Sequence, residues 1–213
     1  VANLIVKVLD KATERDFLTL EEAKLLLGMG TGSSLLDEQL KLQISIASAT
    51  IETLCQRVFA RERVVETWRG LGRPQLFLTH FPVEEDDIED IEVGGGAVSV
   101  LEPRDYELEE ESGKLLGMGR FAEPVRITYT GGYRLPEEAP LPLKHATLLM
   151  VAQARTAATR ESIEGVRMIA HKESRVMFYD PNQQQKSSAT TGALGSGIKA
   201  VDDLLMKYVK LWM

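Results

Sequence analysis

The feature that most constrains this chain is a change of hydrophobic period near residue 60. Leu36, Leu40, Ile44, Ala47, Ile51, Leu54 and Val58 recur every three or four residues. That spacing forms one apolar stripe and predicts a helix from about Ser34 to Val58. From Val64 onward the helical period disappears. Val64–Trp68, Leu76–Thr79, Ile88–Val93, Ala97–Leu101, Tyr106–Leu108 and Val125–Thr130 read as short strands, most of them separated by glycine or proline. Pro140 and Pro142 then lead into a further helix, about Leu143 to Arg160, where proline suits the unpaired first N–H groups. The order is helix, β segment, helix, with no catalytic motif beside it.

Smaller signals refine this frame. Thr19 and Glu22 form a capping-box pattern that starts a short helix over Leu20–Leu27, with Gly28 as its stop. Gly28, Gly30 and Gly32 do not read as a phosphate loop, since they follow a helix and no Lys-Ser or Lys-Thr pair closes them. Ala146 to Ala154 is apolar on more than one face, as in helices buried on several sides. Ile163–Tyr179 fits either a helix or a short extended hairpin. Asp180–Gly197, rich in Gln, Ser, Thr and Gly, reads as a flexible tether. Beyond it Ile198, Val201, Leu205, Tyr208 and Trp212 return to helical spacing, and Leu204 and Leu211 widen the stripe. Such a helix at the end of a tether needs a surface to cover.

The fold class expected is therefore α+β: an antiparallel α-helical bundle core, an inserted small antiparallel β lobe and a tethered C-terminal helix. The expected division is 1–60 for the N-terminal helices, 61–133 for the acidic β lobe, 134–179 for the C-terminal helices, 180–197 for the tether and 198–213 for the docking helix.

Charge separates the lobe from the rest. Glu84–Glu111 holds thirteen acids against Arg104 alone, a net −12 within a chain whose total is −7, so the remainder carries +5. The acids singled out are Glu84, Glu85, Asp86, Asp87, Glu89, Asp90, Glu92, Glu109, Glu110 and Glu111. A split of this size can steer assembly or repel a polyanion.

Other chemistry is poorly marked. His80, His145 and His171 are far apart and show no metal-ligand spacing, so each reads as structural or superficial. Cys55 is the sole cysteine, which excludes an internal disulfide and a cysteine-based zinc site, and it reads as a buried, inert thiol. No basic helix or basic-aromatic stripe marks a nucleic-acid site. No apolar run approaches the roughly 20 residues of a membrane span. The apolar Val1–Leu9 stretch lacks the marks of a signal peptide, and cytoplasmic synthesis is expected. Neither an enzyme nor a cofactor is expected.

An ordered series of segments now gains meaning together: Ala49–Phe59, Pro82-Val83, Asp105-Tyr106-Glu107-Leu108, Ser112-Gly113-Lys114-Leu115, Val125–Tyr133 and the Pro136–Leu143 helix entry. The series resembles the head–tail connector (adaptor) proteins of long-tailed bacteriophages over about Leu18 to Arg160. The resemblance implies a virion neck protein without enzymatic activity. It forms a ring, usually of twelve copies, beneath the portal protein, extends the DNA channel and carries the stopper or tail-completion protein. It implies DNA passing through without sequence-specific binding, and no membrane partner. On that reading Ile198, Val201, Leu204, Leu205, Tyr208, Leu211 and Trp212 dock on the portal. Leu148, Leu149, Val151 and Ala152 pack between subunits, and the acidic residues line the channel or its rim. The alternative is a non-virion cytoplasmic module that recruits a partner through its C-terminal helix.

Overall fold

Strand pairing between residues sixty positions apart organises this protein. The computed structural model describes residues 3–30, 34–70, 72–95, 99–161, 168–171, 174–177 and 194–210. The chain divides into two units, one of Val1–Phe17 and Gln56–Ala139, the other of Leu18–Cys55 and Pro140–Met213.

The first unit is built on β-structure. A five-stranded antiparallel sheet comprises β1 (Asn3–Asp10), β2 (Glu62–Arg69), β8 (Val125–Gly131), β4 (Ile88–Val93) and β5 (Ser99–Val100), in that order across the sheet. A second antiparallel sheet holds β3 (Gln75–Phe77), β7 (Lys114–Gly117) and β6 (Tyr106–Glu109). Period-2 alternation sends Val64 and Trp68 of β2, Val125, Ile127 and Tyr129 of β8, and Ile91 and Val93 of β4 to one buried face. Leu76, Leu78 and Leu115 are buried with the smaller sheet. Full burial of each large apolar side chain contributes roughly 1.5–3 kcal/mol. Phe17 meets Phe59 edge to face at 5.4 Å, and the Arg57 guanidinium lies over the rings of Phe59 (4.3 Å) and Phe81 (3.4 Å). These contacts join the Phe17 end of β1's segment to the residues that precede β2.

The second unit contains α1 (Leu20–Leu26), α2 (Ser34–Cys55), α3 (Leu141–Glu161), a two-stranded hairpin of β9 (Met168–His171) and β10 (Ser174–Met177), and α4 (Lys199–Leu205). Its core joins Leu18, Ala23, Leu40, Ile44, Ala47 and Val151. The expected capping box is present: Thr19 Oγ1 accepts from Glu22 N, and the Glu22 carboxylate accepts from Thr19 N. Glu22 also pairs with Lys144 of α3 at 2.7 Å, and Lys24 pairs with Asp37 of α2 at 2.6 Å. The predicted α2 stripe is buried at Leu40, Ile44, Ala47 and Ile51, with Cys55 beneath its last turn. The helix stops at Cys55 rather than Val58 because Gln56 takes a left-handed φ of 53°.

The expected helical-bundle core is overturned. Among the described residues there are four α-helices, two of them only seven residues long, and they stand beside five-stranded and three-stranded antiparallel sheets. The α+β class fits; the bundle does not. The N-terminal segment shows why: Asn3–Asp10, rich in Leu, Ile and Val, pairs with β2 across the register Leu4↔Trp68, Val6↔Glu66 and Val8↔Val64. An apolar stripe says that a helix buries one face, but not what buries it.

Candidate functional site

β2 carries two glutamates on its buried face, because Glu62, Val64, Glu66 and Trp68 alternate with Arg63, Val65, Thr67 and Arg69. A buried carboxylate is costly unless donors surround it. Glu66, fully buried, is surrounded by donors. Its Oε1 accepts from Thr79 N at 2.8 Å, from Thr79 Oγ1 and from the Tyr129 hydroxyl, and its Oε2 accepts from Trp68 Nε1 at 3.0 Å. The Tyr129 oxygen in turn accepts from His80 N at 3.0 Å. Three segments of the first unit, β2, Thr79-His80 and β8, are thereby tied to one carboxylate. Burial still pushes the Glu66 carboxyl above its ordinary range, against those hydrogen bonds. Burial, followed by the charge of Glu66, raises the Tyr129 phenol well above the usual value.

Glu62 forms a second node. It accepts from Ala12 N at 3.2 Å and pairs with Arg15, fixing the connector that leaves β1. His80 Nε2 faces Glu62 Oε2 at 3.4 Å without a well-aligned hydrogen bond, and His80 Nδ1 contacts Thr79 Oγ1 at 2.9 Å. Burial lowers the His80 pKa despite the neighbouring Glu62. Sealed from solvent and crossed by hydrogen bonds, this cluster holds segments in place. Sequence reasoning placed His80 as a structural or superficial residue and missed both glutamates. The available signal was the alternation of β2, which puts two acids on the face of Val64 and Trp68.

The acidic residues do not act as one block. Glu84, Glu85 and Asp86 are exposed at a short 3-10 turn, and Glu109, Glu110 and Glu111 are exposed between β6 and β7. Asp87, Glu89 and Glu92 are instead paired: Asp87 with Arg61 at 2.5 Å, Glu89 with Arg63 at 2.5 Å, and Glu92 with Arg126 at 3.7 Å. The hydrogen bonds and charge of Arg63 hold the Glu89 carboxyl below its ordinary range. Asp90 is half-buried on β4. A cleft of about 450 Å³ opens beside Asp10, Lys11, Arg61, Arg63, Tyr133 and Arg134. Its arginines are already matched by carboxylates, Arg134 by Glu138 at 3.7 Å, so its charge is mixed. Among the described residues no group of three or more His, Cys, Asp or Glu is placed to hold a metal ion.

The residues expected to dock or pack lie in the second unit. Val201 and Leu205 are fully buried there, Ile198, Leu204 and Tyr208 are half-buried, and Leu211 and Trp212 fall outside the described residues. Val151 is buried against Leu40, Ile44 and Ala47, whereas Leu148, Leu149 and Ala152 keep part of their surface. Asp202 is a polar residue on the same helix as Val201 and Leu205. It is buried, and its carboxylate accepts from Leu194 N, Gly195 N and Ser196 N, each at 3.1 Å. Burial works against its charge, but the hydrogen bonds from Ser196, Leu194 and Gly195 prevail and lower the pKa. Lys210 N closes the far end by donating to Cys55 O at 3.0 Å.

No protein-family model matches the chain, and no curated protein matches it. Solved structures do match. A chain from the neck of an empty gene transfer agent (GTA) particle, computed with C6 symmetry, superposes at a TM-score of 0.57 with 16% identity. The match covers 98% of this chain and 97% of that one. A chain from the neck of the native GTA particle, computed with C12 symmetry, gives 0.54 and 14% over the same shares. One from the virion of the native GTA particle gives 0.52 and 14%, again over 98% and 97%. Likeness at this identity establishes a common fold from one end to the other.

Proposed function

We propose that this chain is a structural subunit of the neck of a phage-like particle. In this reading it is a head–tail adaptor: copies form a ring beneath the portal, extend the DNA channel and offer a platform for the stopper or tail-completion protein. The observation that carries the reading is the near end-to-end fold match to neck chains at 98% and 97% coverage. The C6 and C12 symmetries of those necks support a ring of identical copies, with twelve as the proposed number. The resemblance of the segments from Ala49–Phe59 to Pro136–Leu143 supports the adaptor role.

Two finer assignments follow. Exposed Glu84, Glu85, Asp86, Glu109, Glu110 and Glu111 form the acidic rim of the DNA path, where like charge keeps a sliding polyanion from sticking. Portal docking by the C-terminal segment uses the partly exposed Ile198, Leu204 and Tyr208, while Val201 and Leu205 anchor α4 within its own unit. Immunogold labelling of purified particles tests the reading. Label confined to the junction of head and tail supports it; particles lacking the protein, with normal tails attached, contradict it.

A further inference from the structure

Among the described residues the five-stranded sheet ends in two unpaired edges of different character. β1 is one edge: eight residues, paired among the described residues only with β2. Its protections as an edge strand are slight, Lys7 and a bulge between Val8 and Asp10, with no proline in its span. Ile5 is 62% exposed, and Val6 and Leu9 are 38% and 39% exposed. β5 is the other edge, only two residues long, with Val100 also 62% exposed.

Charge differs between these edges. On the face opposite the core, the register groups Ile5 and Lys7 of β1 with Thr67, Val65 and Arg69 of β2, and beyond a bulge at Leu9 sets Asp10 opposite Arg63. Lys7 and Arg69 are exposed. At the other end of that face, Asp90 and Glu92 of β4 lie opposite Thr128 and Arg126 of β8, and Glu92 lies opposite Val100 of β5. Arg63 is matched by Asp10 and Glu89, and Arg126 by Glu92, so Lys7 and Arg69 leave one end cationic and Asp90 leaves the other anionic, each beside an exposed apolar residue.

We propose that the β1 edge of one copy pairs with the β5 edge of the next, joining neighbouring sheets into one continuous band. This rests on the ring reading above and adds which surfaces meet. Because the two edges are unlike, the contact is head-to-tail, the kind that closes into a ring when its rotation permits. Pairing brings Lys7 and Arg69 toward Asp90 and Glu92 of the neighbour and covers Ile5 with its Val100. The two-residue β5 supplies few ladder bonds, so the charges matter and association weakens with salt.

The test uses the full chain carrying Ile5→Cys and Val100→Cys, oxidised with copper-phenanthroline. Within one copy these edges are separated by β2, β8 and β4, about 19 Å at ordinary strand spacing. That exceeds the roughly 7 Å limit between Cα atoms for a disulfide, so a link between positions 5 and 100 joins two copies, and the native Cys55 is fully buried. A ladder of multimers on a non-reducing gel is expected, with either single variant stopping at dimers. In a second arm, Lys7→Glu with Arg69→Glu, and separately Asp90→Lys with Glu92→Lys, should each weaken self-association at least tenfold by sedimentation velocity. An equimolar mixture of the two should restore it. Wild-type rings with neither ladder nor charge effect overturn the edge pairing and leave the ring reading standing. Absence of wild-type rings, with or without portal protein, overturns both.

Discussion

Tyr129 donates its hydroxyl hydrogen to the buried carboxylate of Glu66, linking the middle of β8 to the middle of β2. The two residues are 63 positions apart in sequence. The same oxygen accepts from His80 N, so one phenol serves as both donor and acceptor inside a dry core. Tyr129→Phe keeps the ring and removes both bonds. It leaves His80 N unpaired and takes one donor from Glu66. The expected loss is about 1–3 kcal/mol by urea denaturation, with secondary structure unchanged. A change below about 0.5 kcal/mol would show that the network does not stabilise the fold.

His80 gives the protein an acid-sensitive limb. Burial depresses its pKa below the ordinary 6.5 although Glu62 opposes this, with Arg15 and Arg57 adding to the depression. The folded state therefore binds fewer protons than the unfolded state as pH falls below 6.5, and stability declines through that window. Glu66 works in the opposite sense: its raised carboxyl contributes most below 4.5, and that contribution is lost as pH rises through its folded pKa. His80→Gln should flatten the decline that begins at pH 6.5, measured by Tm against pH. An identical profile in the variant would assign the decline elsewhere.

Gly131 and Gly132 owe their identity to close backbone approach. A Cβ on Gly131 would collide with His80 O, and one on Gly132, at φ +106°, with Ala60 O. Gly28 also has a positive φ, +66°, but open space around it. Gly28→Ala should therefore cost about 1 kcal/mol. Gly132→Ala should cost several-fold more or prevent folding, as compared by yield and denaturant midpoint. Equal effects at the two sites would rule out the steric account.

Asp202 fastens the segment before α4. Asp202→Asn weakens three charge-assisted bonds to Leu194 N, Gly195 N and Ser196 N, and should cost about 1–2 kcal/mol at neutral pH. Since the folded carboxyl titrates below its ordinary 3.8, the wild-type advantage is present above that pH and fades as pH falls below it. Faster amide exchange confined to residues 194–205 is the expected signature. Unchanged exchange there would mean that the carboxylate does not hold the segment.

Local signals in the sequence were read well and long-range ones poorly. The Thr19–Glu22 cap and the Leu40, Ile44, Ala47 and Ile51 stripe depend on neighbours within one or two turns. β1 depends on a partner about sixty residues away, and the Leu, Ile and Val of Asn3–Asp10 favour a strand without marking that partner. That one omission turned a sheet-based unit into an expected helical bundle. Gln56 ends α2 in a left-handed conformation that its residue type does not mark. Glu62 and Glu66 defeat the rule that charges face solvent, because donors from Arg15, Thr79 and Tyr129 arrive from other segments and join Trp68 of the same strand. The Gly131-Gly132 pair was legible as a turn, but the carbonyls of His80 and Ala60 that require it were not.

The proposed role as a ring-forming neck subunit is tested most directly by electron microscopy of the protein mixed with the portal protein of the same particle. A cyclic layer of density seated on one end of the portal and continuing its channel is expected. Portal rings that remain bare, with this protein free in solution at tens of micromolar, would contradict it.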